Sequence, residues 1–246
     1  MNVPEMARPR FSFENPVTRC CLWLVFQMQA ALLRKKIVLT RDLAVLSRHR
    51  KIAAGFPDDS LDYVRVSTLE LIAHEIRSRG VAGACAELGV FRGHFASRIN
   101  EFFPDRTLYL FDTFDGFCAD QVDADKARGY VHTEQDFSST KLESVLVRMP
   151  NRNRCVPRVG RFPGTACGLE NERFAFVSLD PDLFEPTYAG LQFFFPRLSD
   201  GGSILVHDYN DDLYAGVRAA VDRFLSENRC AFVPVSDHYG SALIVK

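Results

Sequence analysis

The chain has no C-x-x-C pair, no G-x-G-x-x-G run, no Tyr-x-x-x-Lys pair and no surplus of either charge. Each absence narrows the function. With 30 Lys+Arg against 31 Asp+Glu, the net charge of −1 gives no electrostatic ground for nucleic acid as a partner. The 7 cysteines (Cys20, Cys21, Cys85, Cys118, Cys155, Cys167 and Cys230) are odd in number and unpatterned. Such a set fits reduced thiols in a cytoplasmic protein better than a disulfide framework or a zinc site. No internal repeat or low-complexity tract is present. The most apolar stretch, residues 20–33, is too short to cross a bilayer and is interrupted by Gln27 and Gln29. It starts too far into the chain for a signal peptide and lacks a small-residue cleavage site. A packing or oligomer-forming helix is the expectation there. The basic run Arg34-Lys35-Lys36 keeps a membrane-surface helix as the alternative, and no transmembrane segment is expected.

What is present suits one large α/β domain: 246 residues, 47% hydrophobic and 25% charged. A turn cluster, Gly55-Phe56-Pro57-Asp58-Asp59, divides a helical N-terminal extension or lid (residues 1–60) from a domain over 61–246. Helical spacing of Leu69, Ile72, Ala73 and Ile76 predicts a helix over 67–79. The preceding 63–68 segment is either a lid over a ligand or, through Ser67 or Thr68, the cap of that helix. Strand-length apolar runs follow at 82–88, 107–111, 154–159, 174–179, 203–206, 231–235 and 242–245. They alternate with helical patterns near 94–102, 140–148, 188–198 and 213–227. The alternation predicts a Rossmann-like three-layer sandwich with a mostly parallel, seven-stranded sheet. No helix separates the last two strands, so they should pair antiparallel at one edge.

Chemistry-bearing residues gather where strands end. The run at 174–179 leads into Asp180 and Asp182, and the run at 203–206 leads into His207 and Asp208. Parallel neighbours bring all four to one sheet edge, where open α/β folds bind ligands. Such a set can hold a divalent cation and leave one base free. For the aspartates alone, capping of the next helix is the competing explanation. The first strand ends in Glu87-Leu-Gly89-Val-Phe-Arg-Gly93, a turn that lets a ligand approach a helix N-terminus or merely packs strand on helix. Asp112, about 20 residues further on, suits a ribose diol. Asp115-Gly116 reads equally well as an ordinary turn. Together these two motifs point to a nucleoside-containing ligand. His94 reads as a surface residue, and Tyr209 and Asn210 either line an acceptor pocket or shape a turn.

ELGVFRG, LYLFDTFDGF, VSLDPDLFEPT and PRLSDGGSILVHDYN, in this order and spacing, resemble the TylF/MycF family, the D-x-D-L-[YF]-E-x-T element above all. These are class I O-methyltransferases that use S-adenosylmethionine, the founding members acting on sugar hydroxyls of natural products. The resemblance covers roughly residues 62–246. It implies that Glu87, Gly89, Val90 and Gly93 line the cofactor's methionine and ribose, and that Asp112 and Thr113 hold the ribose. Phe114, Gly160 and Phe162 would surround the adenine. Asp180 would ligate a metal and Asp182 act as general base. His207 and Asp208 stand where founding members carry two adjacent aspartates. An imidazole there suits zinc, iron or nickel better than the magnesium of the family. The implied reaction is methyl transfer to a hydroxyl of a small molecule, a sugar or glycosylated metabolite. A catalytically silent binding relative and a nicotinamide-dependent oxidoreductase are the rival readings. The missing third glycine and Tyr-x-x-x-Lys pair weigh against the second. Residues 17–36 are the candidate contact for a homo-oligomer.

Overall fold

The computed structural model describes residues 63–131 and 136–246. The extension over 1–60, the apolar stretch 20–33 and the candidate oligomer contact lie outside the described residues. Among the described residues seven strands form one sheet in the order β3-β2-β1-β4-β5-β7-β6. They are β1 Ala84–Leu88, β2 Leu108–Asp112, β3 Cys155–Val159, β4 Phe174–Leu179, β5 Leu198–Val206, β6 Phe232–Val235 and β7 Ser241–Val245. Only β7 runs against its neighbours, inserted between β5 and β6. β1 and β4 are buried along their whole length, as strands covered on both faces must be.

Among the described residues six α-helices flank the sheet: α1 Tyr63–Ser78, α2 His94–Phe102, α3 Ala119–Ala127, α4 Leu142–Arg148, α5 Phe184–Phe194 and α6 Ala215–Glu227. The core divides accordingly. Leu69 and Ile76 of α1, Ile99 of α2 and Val145 of α4 pack with Cys85 and Phe176 on one face. Val122 of α3, Phe194 of α5 and Phe224 of α6 pack with Leu88, Phe111 and Leu179 on the other.

Three local differences from the sequence reading have physical causes. α1 covers Tyr63–Ser78, so residues 63–68 are helix and neither Ser67 nor Thr68 is its cap; the Ser67 hydroxyl bonds back to the Val64 carbonyl at 3.1 Å. α5 begins at Phe184 and not near 188, because Pro186 sits in its first turn, where a missing N–H costs nothing. α3 has no counterpart in the sequence reading. Its core-facing side is Gln121, Val122 and Asp125, two of them polar, so no apolar period announces it.

Register sets the site. Leu88 pairs with Phe111 and Leu179, and Leu179 pairs with Val206. Gly89, Asp112, Asp180 and His207 therefore emerge side by side. The chain order reverses between β1 and β4, so this edge is the topological switch point of the sheet.

Candidate active site

A cavity of about 380 Å³ opens at that edge, within the size range of small-molecule sites. Its walls include Glu87, Gly89, Val90, Asp112, Thr113, Gly160 and Phe162, together with Asp180, Asp182, His207 and Asp208. Gly93 and Phe114 adjoin the lining residues Arg92 and Thr113 in the chain. Gly93 has φ +75°, and a Cβ there would lie 2.8 Å from Val145 Cγ1, so it serves the packing of α2 on α4. The partly buried Phe114 packs against the core on the α1 side, and its N–H donates to Asp112 Oδ1.

The turn after β1 is built around Asp112. Its Oδ2 accepts from the Val90 and Phe91 N–H groups at 2.7 and 2.8 Å, and its Oδ1 accepts from the Phe114 N–H at 2.7 Å. The carboxylate thus braces two loops. With both lone pairs of Oδ2 used, Oδ1 is the oxygen that can still receive a ligand hydroxyl. The Thr113 hydroxyl donates to the Gly116 carbonyl at 2.6 Å, closing the next turn. Gly160 N–H donates to the Asp112 carbonyl, which brings the β3 end to the same wall. Gly89, at φ +85°, faces β4: a Cβ would stand 2.1 Å from the Asp180 carbonyl oxygen. Close approach of the two loops, not only of a ligand, demands glycine there.

The β4–β5 side is ionic. Arg65, reaching in from α1, places Nη2 2.9 Å from Asp180 Oδ2. His207 Nδ1 lies 3.1 Å from Asp180 Oδ1 and 2.9 Å from Asp208 Oδ1, close enough for ion pairing but with no aligned hydrogen bond. Burial opposes the charge on Asp180, but Arg65 and His207 overcome it and hold the carboxyl well below the usual range. For His207, burial and Arg65 oppose protonation, yet the two carboxylates push it up to about 9. Asp182 moves the other way: burial and the charges of Asp208 and Asp180 raise it well above the ordinary carboxyl range. Burial likewise raises Glu87, which is 1% exposed and has an Oε2 without a hydrogen-bond partner.

The capping explanation for Asp180 and Asp182 fails. The residue before α5 is Leu183, with no side-chain cap, and the Phe184 N–H is capped at 2.8 Å by Asp125 of α3. Both aspartates remain for the cavity. Asp182 and Asp208 hold φ of 61° and 57°, and Phe91 and Tyr239, also lining the cavity, hold 47° and 67°. Non-glycine residues in this region gather at functional sites.

Asp180 Oδ1, His207 Nδ1 and Asp208 offer ligand atoms within 4.8 Å of one another. Two carboxylates and an imidazole fit a divalent ion, with oxygens and a nitrogen as donors, once His207 gives up the proton that the carboxylates favour. One oxygen of Asp180 is already committed to Arg65.

The sequence reading missed two residues and misplaced others. Gln121 is 5% exposed, lines the cavity and leaves Nε2 without a partner; it sits on the helix that had no periodic signal. Arg65 had a legible sign, because it lies one turn before Leu69 on the stripe that continues through Ile76. A charge on a buried stripe needs a buried partner. His94 lines the cavity and is only half-buried, not a free surface residue. Tyr209 and Asn210 do not line it. The Tyr209 hydroxyl bonds Asp222, and the Asn210 N–H bonds the Tyr239 carbonyl, so both shape the turn.

The strand order, with a single antiparallel strand beside β5, and a glycine turn facing an acid at the end of β2 define the class I, Rossmann-like methyltransferase fold. Solved structures agree on the fold. Calicheamicin methyltransferase CalS11 matches with a TM-score of 0.61 and 16% identity over 100% of this chain and 99% of that one. The profile of the macrocin-O-methyltransferase (TylF) family matches residues 25–235, and the chain belongs to that family. Among relatives, a tetracenomycin-C rhamnosyl 4'-O-methyltransferase of Streptomyces olivaceus is 29% identical over 160 residues, 60% of this chain and 61% of its own length. Mycinamicin III 3''-O-methyltransferase of Micromonospora griseorubida is 26% identical over 189 residues, 70% of this chain and 74% of its own. Among the described residues no helix is long and apolar enough to cross a membrane.

Proposed function

We propose that the protein moves the methyl group of S-adenosylmethionine to a hydroxyl of a sugar or glycosylated small molecule, at the cavity between β1 and β4. The observation that carries this is the pair Asp180 and Asp182, freed from helix capping and set beside the glycine turn at the switch point. Family membership and the sugar O-methyltransferase names of the relatives support the same reading.

The chain's residues divide the work. Glu87, Gly89, Val90, Asp112, Thr113, Gly160 and Phe162 hold the methyl donor, with Oδ1 of Asp112 receiving a ribose hydroxyl. Asp182 takes the proton from the acceptor hydroxyl while that oxygen forms its bond to the methyl carbon and the sulfur keeps the electron pair of the broken bond. Burial and the charges of Asp208 and Asp180 raise the Asp182 carboxyl, which makes it a stronger base, and positive charge arriving beside it would favour release of the proton it takes up. Asp180, His207 and Asp208 would hold a divalent cation, which lowers a hydroxyl's pKa and orients it when bound. Alignment of donor and acceptor across the cavity supplies much of the acceleration.

The test is calorimetric titration of metal-stripped protein with S-adenosylhomocysteine, repeated with magnesium, manganese and zinc, then methyl transfer to a panel of glycosides followed by mass. Tight binding and a product 14 Da heavier are expected (one CH2 added, roughly, per transfer). Absence of binding in every condition would overturn the reading in favour of a silent relative.

A further inference from the structure

We propose that Arg65 is a resident cation of the acidic cluster, a positioning residue that competes with a divalent ion for Asp180. The inference rests on the reading of that cluster as an ion site and concerns a residue from outside its loops.

Arg65 reaches the cluster from α1, 115 positions away from Asp180 in sequence. Its side chain is 7% exposed, with Nη2 2.9 Å from Asp180 Oδ2 and 3.5 Å from the Ser178 hydroxyl. The guanidinium carbon lies 3.9 Å over the Phe95 ring. A planar cation held by a ring on its face and a carboxylate at its tip cannot swing aside as a lysine would. Asp180 therefore presents Oδ1 alone to the cavity. The guanidinium keeps its charge at every accessible pH, so an ion arriving at Asp180 meets a fixed positive neighbour in a low-dielectric site.

Two consequences separate this role from simple packing. Binding of an ion should be weak in the parent protein, since one donor oxygen is withheld and the local field is already partly neutralised. Removing the charge should strengthen ion binding even as it disturbs the site, whereas loss of a merely structural arginine should weaken binding or leave it alone.

The experiment is Mn2+ titration of the full-length, cofactor-free protein by electron paramagnetic resonance, for the parent, Arg65→Gln and Arg65→Lys. Circular dichroism and S-adenosylhomocysteine calorimetry on the same samples report folding and the donor half of the site. Arg65→Gln should bind Mn2+ at least about tenfold more tightly than the parent, given the size of charge–charge effects at such range. Arg65→Lys, which keeps the charge but loses the fork and the ring contact, should fall between them. Should Arg65→Gln not accumulate as folded protein, a lysine variant no tighter than the parent overturns the proposal by itself. Parent binding without any gain in the variants overturns the role of Arg65 and spares the ion site. No binding by any of the three overturns both, while retained S-adenosylhomocysteine binding leaves the methyltransferase reading standing.

Discussion

The two walls of the cavity are held by different forces. On the β1–β2 side one carboxylate, Asp112, accepts three backbone N–H groups from two loops, so the wall is short-range and fixed by hydrogen bonds. On the β4–β5 side Arg65, Asp180, His207 and Asp208 face one another as charges, and burial with the neighbouring carboxylates raises the pKa of Asp182. In the proposed reaction the first wall would cradle the methyl donor, and the second would meet an incoming cation or polarised hydroxyl. The methyl transfer proposed here needs both, because the donor must be held still while a proton changes hands.

The largest expected effect is on the ionic wall. Asp182→Asn should lower kcat by about 10³-fold, the middle of the range for a general base, with S-adenosylhomocysteine affinity unchanged. An active Asn variant would move the base elsewhere. Gly89→Ala strikes the seam between the walls. A Cβ 2.1 Å from the Asp180 carbonyl oxygen cannot be absorbed by a side-chain rotation, so a loss of about 3 kcal/mol or more is expected in urea denaturation. On the hydrogen-bonded wall, Asp112→Asn should weaken S-adenosylhomocysteine binding by about 10- to 100-fold, the worth of one or two charged hydrogen bonds. It should leave Mn2+ binding alone; a parallel loss of both would show that the walls are not separable.

The smallest effect is a pH dependence. His207 takes up its proton with a folded pKa of about 9 against an ordinary value of 6.5. The folded chain then binds more protons than the unfolded chain between those two values, so this contribution to stability is complete below 6.5 and is lost as pH rises towards 9. In chelator-treated protein the melting temperature should fall across that window, and His207→Gln should flatten the slope. A slope unchanged by the substitution would place the proton on another group.

Much of this was legible because it depends on local pattern. The β4 and α2 boundaries match the apolar runs at 174–179 and 94–102, since a strand buried on both faces and an amphipathic helix each announce themselves. The acids that follow strand ends could be placed for the same reason: in a parallel sheet, position after a strand is position at the ligand edge. Two kinds of feature stayed hidden. β5 starts at Leu198, earlier than the apolar run at 203–206, because Leu198 already pairs with Phe174; the register then shifts before Ser203 pairs with Phe176, and no apolar run marks the residues between. Arg65 and Gln121 act through neighbours distant in sequence, and no spacing along the chain specifies that a guanidinium will meet Asp180 or that an amide nitrogen will be left facing the cavity.

The contact between Gly89 and the Asp180 carbonyl bears on how such a protein can be rebuilt. The loops after β1 and β4 meet at a common seam, so neither is a free cassette. A graft of the segment after β4 from a relative with another acceptor preference would have to carry its own partner turn after β1. Chimaeras that exchange the two loops as a pair should fold, and those that exchange one should not.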